Sequence, residues 1–77
     1  MLLKRLSNNS TELTVNDGKI LFSYETPVAV FVKNIGYYRT IKNHSRTTSK
    51  HINLWLRDIE AYKATQETLE TIVKGIK

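Results

Sequence analysis

Apolar and polar positions alternate through the first half of the chain and recur every three or four residues through the second. The alternation predicts strands, and the longer period predicts helix. In residues 19–25, Ile20, Phe22 and Tyr24 fall on one face, with Leu21, Ser23 and Glu25 on the other. Asn16-Asp17-Gly18 precedes this strand and is the strongest hairpin signal, because Asp-Gly accepts the positive φ angles of a tight turn. Residues 11–15 therefore pair with it. Upstream, Leu2, Leu3 and Leu6 form either a short first strand or a frayed terminus, followed by a Ser-Asn-Asn-Ser turn at residues 7–10.

Glu25-Thr26-Pro27 is expected to end the second strand of the hairpin, since proline cannot donate to a ladder and restrains its predecessor. A β-branched strand follows over residues 28–33, with Val28, Val30 and Val32 on one face and Ala29 and Phe31 on the other. It is the candidate central strand. Asn34-Ile35-Gly36 turns the chain, and residues 37–41 pair back. Such short loops favour an antiparallel meander.

After Lys42 the period changes. Residues 43–49 are polar, with Thr47 or Thr48 as the expected helix N-cap. From there Ile52, Trp55, Ile59, Tyr62, Gln66, Leu69, Val73 and Ile76 recur at alternating spacings of three and four, a heptad seam with one polar member. An unbroken helix over residues 48–76 would be about 43 Å long, which exceeds the roughly 30 Å span of a small domain. Either it breaks near residues 63–65, with Thr65 capping a second helix, or its end packs on another copy. The second possibility makes Tyr62, Leu69, Val73 and Ile76 a self-association seam.

The expected fold is therefore α+β: one small domain over residues 1–77. A meander of four or five strands occupies residues 2–42, and a C-terminal helical part over residues 47–76 packs on one face. A chain of 77 residues has a thin core, and with no cysteine it has no disulfide or thiolate cluster to reinforce it. Homo-oligomerisation is the remaining common reinforcement. Cysteine-free composition agrees with a cytoplasmic setting. The first residues lack the apolar run of a signal peptide, and the longest apolar run, residues 28–32, is far too short to span a membrane.

Charge sharpens the picture. Between Thr26 and Arg57 there is no acidic residue, while Lys33, Arg39, Lys42, Arg46, Lys50 and Arg57 are basic. Elsewhere six basic residues meet seven acidic ones, so the net charge of +5 arises in the middle of the chain. With a helix starting at Thr47 or Thr48, Lys50 and His51 sit in its first turn, where the helix dipole disfavours cations. A bound anion would offset that conflict. Free amides, the Thr48 hydroxyl and the cations Arg39, Lys42, Arg46, Lys50 and His51 then form the expected anion or nucleic-acid site, with Tyr38 placed to stack on an unpaired base. The plainer alternative is that the threonines are caps and the cations a solvated face.

Other chemistry has little support. Two histidines without cysteine make no closed zinc site, and phosphate loops, nucleophile elbows and dinucleotide fingerprints are absent, so no cofactor is expected. His44 and His51 are the residue types of a metal-independent ribonuclease, yet two histidines are ordinary composition. A strand at residues 37–41 followed by two helices superficially fits a ribbon-helix-helix, but that fold needs none of the preceding hairpins.

Two segments resemble a family of small uncharacterised proteins encoded mainly by bacteriophages. One contains Phe22-Ser23-Tyr24-Glu25-Thr26-Pro27-Val28-Ala29. The other is Tyr37-Tyr38-Arg39-Thr40 followed by Ser45-Arg46-Thr47-Thr48-Ser49-Lys50-His51-Ile52, whose Ser-x-Thr-Thr-Ser-x-His-Ile core is the more specific. The family has no established activity, and the resemblance implies a phage or host-cytoplasm setting. The leading expectation is a non-enzymatic protein binding nucleic acid or another polyanion through the strand-to-helix junction. The alternative is a protein-interaction module, a host-factor inhibitor or virion component, acting through the helical seam and strand edges.

Overall fold

A computed structural model describes residues 2–7 and 9–76. The chain runs β1 (Leu2–Ser7), β2 (Ser10–Val15), β3 (Gly18–Ser23), β4 (Thr26–Val32), β5 (Gly36–Thr40), α1 (Arg46–Leu56), β6 (Tyr62–Ala64) and α2 (Gln66–Ile76). The six strands form one sheet in sequence order. The first five are an antiparallel meander, and β6 adds to β5 in parallel. This is an α+β fold, as the alternation predicts. The turn expected at residues 7–10 includes Asn8, which lies outside the described residues.

The β2–β3 hairpin forms at the expected place, with Val15 opposite Gly18. The reason for its glycine differs from the expected one. Gly18 is not among the residues with positive φ; a Cβ there would collide with the carbonyl oxygen of Phe31 on β4. The next turn falls at Tyr24 and Glu25 rather than at Pro27, with Tyr24 in the left-handed region at φ 61°. Pro27 thus lies inside β4, next to a bulge at which Leu21 opposes Ala29 while Phe22 opposes Pro27. The bulge leaves Val28 without a partner of its own and breaks the alternation. Val28 consequently packs with Ala29 on one face of the sheet while Val30 packs on the other, so the expected shared face of Val28, Val30 and Val32 is corrected.

The helical region departs most from expectation. Helix α1 stops at Leu56, where Arg57 takes φ 40° and its amide donates to the Asn53 carbonyl. The chain then descends to form β6, and α2 begins after Thr65, whose hydroxyl accepts from the Thr68 amide as an N-cap would. The two helices lie on opposite faces of the sheet, not together on one. Ile52 and Leu56 of α1 pack on Leu21, Val28 and Ala29. Leu69, Val73 and Ile76 of α2 pack on Val15, Ile20 and Val30. The apparent heptad seam is therefore two separate apolar stripes. Leu69, Val73 and Ile76 are consumed by the chain's own core, and Tyr62 stands on the edge strand rather than on a helix. Chain extents of 29 × 24 × 23 Å likewise leave no room for a 43 Å helix. The polar member of the series, Gln66, is explained by its contacts: Nε2 donates to the Pro27 carbonyl, exposed by the bulge, and Oε1 pairs with His44 Nε2 at 3.2 Å.

A ribbon-helix-helix is excluded by the sheet itself. Its DNA-reading strand must be free, whereas β5 is hydrogen-bonded between β4 and β6.

Candidate functional site

The strand-to-helix junction is built by a chain of hydroxyls. Ser45, in extended backbone conformation, is the N-cap of α1; its Oγ accepts from the Thr48 amide at 3.1 Å and donates to Thr48 Oγ1. Thr48 Oγ1 lies 2.9 Å from Ser23 Oγ on β3, and Ser23 Oγ lies 2.9 Å from His51 Nδ1. The cap thus falls two or three residues earlier than the polar run alone indicates, because Thr47 and Thr48 are already helical. Thr48 is buried and Ser23 is buried beneath it. The network fixes α1 to the sheet, and every buried side-chain polar atom among the described residues has a partner.

This removes two of the expected anion ligands. The Thr48 hydroxyl is engaged within the fold. His51, half-buried, is turned toward Ser23 and Tyr24, with its ring centroid 6.3 Å from that of Tyr24. Lys50 and His51 also lie two or three residues deeper in the helix than expected, since α1 starts at Arg46. The residue in conflict with the helix dipole is Arg46, in a first turn that carries no acid. His44 is held by Gln66, and neither histidine lines the basic surface described next.

The remaining expected cations do come together. Arg46 and Lys50 stand on the exposed side of α1, with Asn53 and Arg57 completing a stripe at i, i+4, i+7 and i+11. These side chains line a shallow open concavity with Asn43 and Ser49. A second concavity, lined by Arg39, Lys42 and Lys63, shares Asn43 and Ser49 with the first. Arg39 and Lys63 are direct register partners across β5 and β6. Like charges directly opposite one another in a sheet destabilise it, so this pair is an electrostatic conflict on the same surface as Arg46. Among the described residues lining the two concavities, Asp58 is the one acid.

Tyr38 is not where base stacking would need it. Neighbouring residues of a strand point to opposite faces, and Tyr38 packs with the α2-side core, its ring 5.2 Å from that of Tyr62. Two members of the basic surface lay outside the expected site. Arg57 was visible in the charge count and becomes a member once the helix is started at Arg46. Lys63 gave no usable signal, because a three-residue strand carries too little alternation to register.

The fold and surface define a small α+β domain with a basic face, formed where β5, α1 and β6 meet. The sequence model of DUF8033, a family of unknown function, matches residues 1–74, and the chain belongs to that family. Neither a curated protein nor a solved structure matches the chain.

Proposed function

We propose that the protein is a non-enzymatic binder of nucleic acid or a related polyanion, acting through Arg39, Lys42, Arg46, Lys50, Arg57 and Lys63. One observation carries this reading: cations from β5, the following loop, α1 and β6 gather on adjoining concavities, with Arg39 and Lys63 in register. Folding alone gives no reason to set like charges side by side, and a bound phosphate chain would turn the repulsion into attraction. A phage protein working in a host cytoplasm is the setting this reading adopts. The direct test is a nucleic-acid titration of the wild type against Arg46→Ala with Lys50→Ala. The substitutions should weaken binding by about tenfold or more at low salt, while Lys4→Ala and Lys74→Ala change it little. Equal effects from all four positions would reduce the surface to general charge.

A second reading, a protein-interaction module, has its own observation. Strand β1 pairs with β2 alone among the described strands, all six of its residues are exposed, and Leu2 and Leu3 are 66% and 67% accessible. An open edge of this kind can accept another strand. Recovery of a stoichiometric protein complex after nuclease treatment, lost on Leu3→Pro, would favour this reading.

A further inference from the structure

The six cations do not lie on one line. Arg46, Lys50 and Arg57 follow the axis of α1, and at 1.5 Å per residue the first and last are about 16 Å apart. Arg39, Lys42 and Lys63 leave that line, carried by β5, the following loop and β6. The two groups meet at Asn43 and Ser49, whose side chains border both concavities. A single strand offers one line of phosphates, whereas a duplex offers two that diverge around the grooves.

The aromatic side chains give a second, independent indication. Single-strand binders combine basic grooves with exposed rings on which bases stack. Among the described residues, no aromatic side chain lines either basic concavity; the apolar members are Ile41 and Leu54. Tyr37 and Trp55 pack edge-to-face in the α1-side core, and the Trp55 indole donates to Glu12 at 2.8 Å. Tyr38 and Tyr62 pair with each other. The surface offers charge and amides to phosphates but no platform to bases.

We infer that the basic face grips the backbone of a nucleic-acid duplex without reading its sequence, α1 following one strand's phosphates and the Arg39–Lys63 pair reaching the other strand. This rests on the polyanion-binding reading above and names its substrate class.

The test is fluorescence anisotropy of the full chain with equal-length oligonucleotides at one salt concentration: three duplexes of unrelated sequence and one mixed-sequence single strand. The duplexes should bind within about threefold of one another, and the single strand about tenfold more weakly, lacking both the second phosphate line and a stacking platform. Arg39→Ala with Lys63→Ala should lower duplex affinity by about tenfold and single-strand affinity by no more than about threefold, since a single strand on the α1 line meets these two cations less. A single strand bound as tightly as the duplexes overturns the inference. So does an equal loss on both substrates in the double variant, or a preference above about tenfold for one duplex, the size a base-edge contact gives. Binding to none of the oligonucleotides removes the polyanion reading itself; binding to the single strand alone spares that reading and removes only the duplex.

Discussion

Arg39 and Lys63 stand side by side across the parallel β5–β6 pair, two like charges held in register where the short strand β6 closes the sheet's edge. The pairing arises from chain topology: β5 leads out through α1, and the chain returns at β6 to lie along β5. Strand β6 is anchored there in part by the Ile41 amide, which donates to the Ala64 carbonyl at 2.8 Å. The loop and helix that separate the two strands carry the other cations, so one crossover assembles the whole basic face.

Replacing Lys63 with glutamate converts repulsion into an ion pair. Lys63→Glu should raise stability by a few tenths of a kcal/mol, no more, because Lys63 is exposed and solvent screens the pair, with Arg39 half-buried. It should weaken polyanion binding at the same time. Urea denaturation and an affinity titration on the same sample check the opposite signs. A gain in stability with unchanged binding would mark the surface as merely solvated.

Ser23 joins the helix to the sheet through both Thr48 and His51. Ser23→Ala leaves His51 Nδ1 without its partner and the buried Thr48 hydroxyl with Ser45 alone, and should cost about 1–3 kcal/mol in chemical denaturation. A loss below about half a kcal/mol would show that water replaces the hydroxyl.

Two glycines should respond oppositely to alanine. At Gly18 the added methyl meets the Phe31 carbonyl, so β3 and β4 must separate. Gly18→Ala should cost about 2 kcal/mol or more, in the range of strained core substitutions. At Gly75 nothing lies within 4 Å of an added Cβ, and α2 gains helix propensity. Gly75→Ala should stabilise by about 0.5–1 kcal/mol. Thermal unfolding of the pair checks both signs.

Leu69 is fully buried between α2 and the sheet. Leu69→Ala should therefore lower unfolding free energy by about 2–5 kcal/mol without altering sedimentation mass. A change in mass at unchanged stability would return Leu69 to an intermolecular seam.

Much of this architecture is legible in the residues. Alternation at 19–25 and the Asn16-Asp17-Gly18 turn give the meander, and Thr65 is readable as the cap of a second helix. Three features are not legible, each for a physical reason. The bulge at Val28 depends on how β4 meets β3, which no local pattern records. Strand β6 is three residues long and exists because β5 offers it an edge. The seam misleads because two helices on opposite faces of a sheet each need a stripe of period 3.6, and chance phase joined the two stripes. The candidate site follows the same division. Arg39, Lys42, Arg46 and Lys50 follow from charge alone, Lys63 only from topology, and Thr48 and His51 look like ligands until their partners on β3 are known.

The most direct measurement of the central claim is the salt dependence of nucleic-acid affinity. If the six cations contact phosphates, the logarithm of the association constant should fall against the logarithm of salt concentration with a slope of about −5 on a duplex. Replacing Arg46, Lys50 and Lys63 together by alanine should reduce that slope by about 3 while the protein stays folded. A slope near zero, or one left unchanged by the three substitutions, would contradict the account.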